Sequence, residues 1–141
     1  MAPVRMIGTA VHRILLAFPT ALFPAALVTD IAYLRTAQMQ WTNFSAWLIA
    51  GALVFCGLVL AWSLIELLLS LRVDRRRRRL IYPALLAILF VLGLLNAFKH
   101  SQDAWSSVGA FGLTLSILST LVALAAALVA GSGILNREVA R

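Results

Sequence analysis

Four long apolar segments dominate the amino-acid sequence, and short polar segments separate them. The apolar segments are approximately Ile14–Leu34, Phe44–Leu71, Leu80–Phe98 and Val108–Ala130. A helix needs about 20 mostly apolar residues to cross the hydrocarbon core of a bilayer, and each segment is about that long or longer. The pattern therefore predicts an all-α integral membrane protein with four transmembrane helices in one bundle, which form a single domain over residues 1–141.

Composition supports a lipid environment for this bundle. Hydrophobic residues make up 62% of the chain and charged residues only 12%, with a mean hydropathy of +0.97. Soluble domains have about 25% charged residues. The net charge of +7 could suggest a nucleic-acid partner, but the cations lie in the gaps between apolar segments. Because membrane proteins distribute their cations in this way, we expect a lipid bilayer and no nucleic acid as the partner.

The distribution of cations also predicts the orientation of the helices. Ten Lys and Arg residues fall on one side of the predicted topology and two, Arg35 and Lys99, on the other. Cationic loops stay on the cytoplasmic side, so we expect a multi-pass protein of the bacterial inner membrane with both termini in the cytoplasm. The loop residues that would anchor this topology and attract anionic headgroups are Arg72, Arg75, Arg76, Arg77, Arg78 and Arg79.

The fourth apolar segment has small residues at alternating spacings of three and four. This spacing is typical of a seam between helices that cross at a small left-handed angle, and small residues allow a close approach in lipid. We interpret the seam as the face on which this helix docks, either against other helices of the chain or against a second copy. Its members are Gly109, Gly112, Ser116, Ser119, Ala123, Ala126 and Ala130.

Asp30 lies inside the first apolar segment, where an ionisable residue is costly and is a candidate for function. It stands near the outer end of its segment, so we expect it close to the outer interface. A hydrogen bond or ion pair that joins helices one and three is the first interpretation, and a proton or ligand site is the alternative. The polar residues expected at its level are Asn96, Lys99, His100 and Arg35.

Glu66 is the second acid inside an apolar segment, near the cytoplasmic end of helix two. We expect an interfacial ion pair with a cationic residue at that level. If Glu66 is buried instead, it is a candidate proton carrier, because burial disfavours the charged form. The expected partners are Arg72, Arg13 and His12.

The two histidines, His12 and His100, fall at opposite faces of the predicted bundle. They cannot ligate one haem within a single chain. The single cysteine, Cys56, leaves no Cys/His spacing for a metal. We predict no cofactor and no metal site, and a haem or quinone bound near one histidine remains an alternative.

The first segment resembles the start of a bacterial family of predicted membrane proteins, domain of unknown function 2231. The residues that carry this resemblance are His12, Phe18-Pro19, Ala21-Leu22 and Asp30. It continues through Trp41, Ala46–Gly51, Gly57, Ala61 and Leu95-Asn96, so that it covers nearly the whole chain. The resemblance implies a four-helix membrane fold and no established activity. Members that accompany redox proteins raise a redox hypothesis by association only.

Four positions depart from the family pattern. Arg13 follows His12 where the family favours proline, and Tyr82 stands where many members have a histidine. Ser63 and Glu66 replace an expected glycine and aspartate. A metal or haem role that the family has through the missing histidine is therefore not implied for this chain.

The sequence favours a protein that is not an enzyme. It contains no Gly-rich phosphate loop, no nucleophile motif and no metal-binding cluster. We expect a packing, anchoring or accessory subunit of a membrane assembly, with a second copy or another membrane protein as its partner. The alternatives are a membrane redox component and a small proton-coupled transporter that uses Asp30 or Glu66.

Overall fold

The computed structural model describes residues 2–71, 80–102 and 108–138, and in these ranges the chain is helical and contains no strand. The helices are α1 (Ala2–Thr36), α2 (Met39–Leu71), α3 (Ile81–His100) and α4 (Ala110–Glu138). Each contains a stretch that is long and apolar enough to cross a membrane. The predicted all-α fold with four membrane-length helices is therefore confirmed. Those stretches are Gly8–Thr36, Met39–Leu69, Ile81–His100 and Ala110–Ser132.

The four helices pack in a ring, in which α1 contacts α2, α2 contacts α3, α3 contacts α4 and α4 contacts α1. The connection from α1 to α2, the end of α3 and the beginning of α4 lie at one end of the bundle, which we call the hairpin end. The opposite end, where α1 begins and α4 ends, is the terminal end. Which end faces the cytoplasm stays a prediction.

The connection between α1 and α2 is much shorter than the polar gap at residues 35–43 predicts. Only Ala37 and Gln38 separate the two helices. Ala37 has a φ of 53°, and its N–H donates to the carbonyl oxygen of Tyr33 at 2.8 Å. A left-handed residue other than glycine costs about 1–2 kcal/mol. The hydropathy pattern marks where side chains become polar, whereas the helices continue until this residue reverses the chain.

The other helix boundaries differ for a similar reason. The first helix begins at Ala2 rather than at Ile14, and the fourth reaches Glu138 rather than Ala130. An apolar segment measures the part of a helix that fits hydrocarbon, and polar turns can extend it at either end. The anchor residues Arg72 and Arg75–Arg79 lie outside the described residues.

The bundle interior is filled by apolar side chains from all four helices. One buried cluster comprises Phe23, Ala26, Ile49, Ala52, Cys56, Leu89 and Ala123, and a second comprises Leu16, Val59, Leu86 and Ala126. The outer surface is also apolar: Val28, Val54 and Leu128 are all more than half exposed. An apolar exterior around an apolar interior suits a protein whose surroundings are lipid.

Gly93 lies where α3 packs tightly against side chains of α1 and α2. A Cβ atom at this position would lie 2.9 Å from Leu53 Cδ2 and 2.9 Å from Phe23 Cζ. Phe23 is 1% exposed, so it has little room to move aside. Packing of α3 in the core therefore requires a residue without a side chain at this position.

We predict that Gly93→Ala destabilises the bundle by about 1–3 kcal/mol, the usual cost of overpacking a core. The measurement is the midpoint of thermal unfolding in mild detergent. Gly51→Ala is the matched control, because its Cβ would meet Leu22 Cδ1 at 3.5 Å, an ordinary contact. Equal midpoints for the two variants would contradict the packing described here.

Candidate functional site

Asp30 is completely buried near the hairpin end, where it joins three helices. Its Oδ1 lies 2.9 Å from His100 Nε2 on α3. Its Oδ2 accepts a hydrogen bond from Ser116 Oγ on α4 at 2.5 Å. An ionisable group inside an apolar medium is costly unless it is paired and hydrogen-bonded. Both carboxylate oxygens of Asp30 have such partners.

Asn96, His100 and Ser45 extend this network to the remaining helix. His100 Nδ1 donates to the Asn96 carbonyl oxygen at 2.9 Å, and Asn96 Nδ2 donates to Ser116 Oγ at 2.9 Å. Ser45 Oγ on α2 lies 3.4 Å from His100 Nε2. Each helix thus contributes a side chain. We call this set the Asp30 cluster, and its members are Asp30, Ser45, Asn96, His100 and Ser116.

The hydrogen-bond pattern fixes how many protons Asp30 and His100 hold together. A carbonyl oxygen can only accept, so His100 Nδ1, which faces the Asn96 carbonyl, carries a hydrogen. The contact between His100 Nε2 and Asp30 Oδ1 needs one further hydrogen, either on the ring or on the carboxyl group. In both cases the pair has no net charge, and besides the hydrogen on Nδ1 it contains one exchangeable proton between Nε2 and Oδ1.

The structure changes the expected position of Asp30. It lies six residues before the end of α1, or about 9 Å along the helix, and it is buried rather than at the interface. His100, which the sequence places in the outer loop, is the last residue of α3 and is buried over Asp30. Asp30, Asn96 and His100 therefore meet.

Two residues expected beside Asp30 are not its partners. Lys99 Nζ donates to Gln102 Oε1 at 2.9 Å, so Lys99 binds a residue just after the end of α3. Arg35 is exposed near the end of α1. In this part of the described chain, His100 is the basic residue that contacts Asp30.

A second polar group lies at the terminal end and involves α1, α2 and α3. His12 Nε2 is 2.8 Å from the Tyr82 hydroxyl, and the His12 and Trp62 rings meet edge to face at 6.0 Å. Trp62 Nε1 donates to Glu66 Oε1 at 2.8 Å. We call this set the His12 group, and its members are His12, Trp62, Glu66 and Tyr82.

The expected ion pair of Glu66 with His12 or Arg13 is absent. Glu66 is exposed, and none of the described cationic groups lies within 4.0 Å of its carboxylate. The third expected partner, Arg72, lies outside the described residues. The helical spacing of four between Trp62 and Glu66 instead lets the indole N–H reach the carboxylate. Among the described residues, Glu66 therefore has a hydrogen-bond partner on its own helix and no cationic partner.

The Asp30 cluster and the His12 group are separate sites. Asp30 and His12 are eighteen residues apart on α1, or about 27 Å. Both ring nitrogens of His100 have hydrogen-bond partners, whereas His12 Nδ1 is buried without one among the described atoms. His12 therefore has a ring nitrogen that no described hydrogen bond occupies, whereas His100 has none.

The small residues of α4 line the inner side of the bundle. Gly112, Ser116, Ser119, Ala123 and Ala126 are buried, Ala130 is half-buried, and Gly109 is exposed just before α4. This side of α4 faces other helices of the same chain. It is an internal seam, which leaves the opposite, exposed side of α4 toward the surroundings.

Sequence reasoning did not assign Ser45, Ser116, Trp62 or Tyr82 to the sites in which the structure places them. Ser116 gave a signal, because it belongs to the small-residue seam and lies at the level of Asn96. Tyr82 gave another, because it occupies the position of a family histidine. Ser45 shows no comparable signal in the sequence.

The fold and the buried polar cluster define the chain as a small helical integral membrane protein. The chain belongs to the family described as predicted membrane protein (DUF2231), whose sequence pattern matches residues 8–136. The match confirms the resemblance carried by the first segment. No curated protein and no solved structure shows significant similarity to the chain.

We predict that Asp30→Ala destabilises the protein by about 3 kcal/mol, because loss of one partner leaves buried polar groups of His100 and Ser116 unsatisfied. Asp30→Asn should cost less, since an amide can donate to a neutral His100 Nε2 and accept from Ser116. Thermal unfolding in detergent measures both effects. Glu66→Ala is the control and should leave the midpoint unchanged. A midpoint for Asp30→Ala equal to that of the unmodified protein would show that the cluster contributes no stability.

Proposed function

We propose that this protein is a non-enzymatic accessory or anchoring subunit of a membrane assembly. We place it in the bacterial inner membrane with both termini in the cytoplasm, as the distribution of its cations favours. Two features support this proposal: the polar side chains of the Asp30 cluster bind one another, and Glu66 faces outward.

The Asp30 cluster offers little to a substrate. All five members are buried, and their hydrogen bonds connect them to one another or to the backbone. Asn96 Oδ1 is the one polar atom of the cluster that is buried without a hydrogen-bond partner among the described atoms. Neither the cavity lined by Trp41 and Trp47 nor the one lined by Ala17 and Gly131 includes any of these residues. Binding sites for small molecules are normally open clefts with a few free polar groups. The arrangement of this cluster is therefore more suited to holding helices together than to chemistry.

Glu66 is the observation that carries the proposal. Its carboxylate is exposed on α2 and receives one hydrogen bond from Trp62. The surrounding side chains Ile65, Leu68 and Leu69 are each more than half exposed and apolar. The described residues leave further acceptor positions of this carboxylate unfilled, and lipid tails cannot satisfy them. A membrane-protein partner with a cationic or hydroxyl group at this level would satisfy them.

We predict that a photo-crosslinking residue at Ile65 or Leu69 forms an adduct with one discrete membrane protein in intact membranes. Glu66→Gln should reduce this adduct, because the amide loses the charge that the partner complements. The same residue at Val91 on α3, which is 55% exposed, is the control and should give no such adduct. A protein that gives no adduct at either α2 position, and that purifies as a monomer in mild detergent, would refute the proposal.

A second candidate function is proton-coupled transport, which the Asp30–His100 pair favours. The pair contains one exchangeable proton in the membrane-spanning part of the bundle, and it has no net charge. Asp–His chains of this kind occur in the proton relays of pumps and transporters. Because both side chains are buried, such a function requires the hairpin end to open during transport.

If this second function is correct, vesicles containing the protein should dissipate an imposed pH gradient faster than empty vesicles. Asp30→Asn should abolish the difference, because an amide carries no exchangeable acid proton at these pH values. An entrapped pH-sensitive dye measures the rate, and Glu66→Gln is the control that should retain it. Equal rates for protein-containing and empty vesicles would exclude proton movement by this chain alone.

A further inference from the structure

A groove runs along the outer surface between α1 and α4 near the terminal end. Its walls are built mostly from small residues, namely Ala17, Thr20 and Ala21 on α1 and Ala127, Ala130 and Gly131 on α4. Its volume is about 570 Å³. Thr20 Oγ1 donates to its own helix at Leu16, so its hydroxyl does not require a partner in the groove. The interior of the groove is therefore an apolar surface.

The small side chains explain why the groove exists. Side chains at a helix contact set the distance between helix axes and fill the space beside it. Alanines on both helices and a glycine on α4 leave that space empty on the outer side, where Ala17, Ala21 and Gly131 are exposed. In a membrane, an apolar surface of this shape is covered by hydrocarbon rather than by water. An acyl chain is the hydrocarbon that the bilayer supplies.

Arg13 places a positive charge at one end of the same groove. Its side chain is exposed and lines the groove together with Gly131. Arg13 directly precedes the apolar segment of α1 that begins at Ile14, and arginines at the end of such a segment lie at the level of the lipid headgroups. None of the described carboxylates lies within 4.0 Å of its guanidinium group. A guanidinium donates two parallel hydrogen bonds to a phosphate.

We propose that this groove binds an anionic phospholipid, with an acyl chain between α1 and α4 and the phosphate on Arg13. The charges favour this occupant over a second copy of the chain. In a two-fold dimer built on this groove, both copies of Arg13 would lie on one face at the same membrane level. Two unpaired cations would then repel each other in a protein whose net charge is already +7. A negatively charged lipid neutralises Arg13 instead.

The test is native mass spectrometry of the full-length protein in mild detergent. Phosphatidylglycerol and phosphatidylcholine with identical acyl chains are titrated separately. We expect the unmodified protein to bind phosphatidylglycerol more tightly. Arg13→Gln should weaken phosphatidylglycerol binding about fivefold, which corresponds to about 1 kcal/mol for one cation at the membrane surface. It should leave phosphatidylcholine binding nearly unchanged.

Arg35→Gln is the matched control, because Arg35 is an exposed arginine at the other end of α1. It should leave the binding of both lipids unchanged. Ala17→Leu, at an exposed position that avoids the core, should block the groove and weaken the binding of both lipids. The effect of Arg13→Gln should be smaller in the Ala17→Leu background, because the two variants act on one site.

Three outcomes would overturn the proposal. The first is unchanged phosphatidylglycerol binding by Arg13→Gln. The second is an equal loss for Arg13→Gln and Arg35→Gln, which would indicate attraction by surface charge in general. The third is dissociation of a dimer by Ala17→Leu without any change in lipid binding, which would show that a second copy occupies the groove. Unfolding midpoints of all variants establish that each one folds.

Discussion

The contact between Asp30 and His100 is the interaction on which the hairpin end of the bundle depends. A carboxylate in this position must have partners, because neither lipid nor an apolar core offers any. His100 and Ser116 supply them from two other helices, while Ser45 approaches from α2. Packing between helices in a membrane lacks the hydrophobic driving force available in water. A hydrogen-bonded cluster that reaches all four helices gives this bundle a specific arrangement that apolar contacts alone would not select.

The small residues of α4 make that cluster possible. Ser116 can reach Asp30 only if the backbones of α4 and α1 approach closely, and its seam neighbours Gly112 and Ser119 have side chains small enough to allow this. Gly93 plays a corresponding part on α3, where Leu53 and Phe23 fill the space that a Cβ would take. Close packing and polar pairing therefore depend on each other in this bundle. The small residues bring helices together, and the polar residues determine which faces meet.

Much of this arrangement is predictable from the sequence, and the limits have physical causes. Hydropathy predicts the four helices, and antiparallel order brings Asp30 to the level of Asn96 and His100. The height of a residue along the bundle does not show whether His100 or its neighbour Lys99 contacts Asp30. Adjacent residues on a helix point about 100° apart, and the rotation of α3 about its axis depends on packing. The hydrogen bond from Trp62 to Glu66 was not predicted, because electrostatics suggested a cation as the partner and drew attention away from the indole N–H one helical turn earlier. The turn at Ala37 was missed because alanine does not signal a left-handed conformation.

The two ends of the bundle differ in whether their charged side chains have partners within the described chain. At the hairpin end the buried acid is satisfied within the chain, and its exchangeable proton lies between two side chains that are completely or almost completely buried. At the terminal end Glu66 and Arg13 are both exposed, and neither has an oppositely charged partner among the described residues. They also lie on different faces, since Arg13 opens onto the groove beside α4 while Glu66 stands on α2. One end can therefore hold the fold, while the other has exposed charged groups for the two partners proposed above, a lipid on one face and a protein on another.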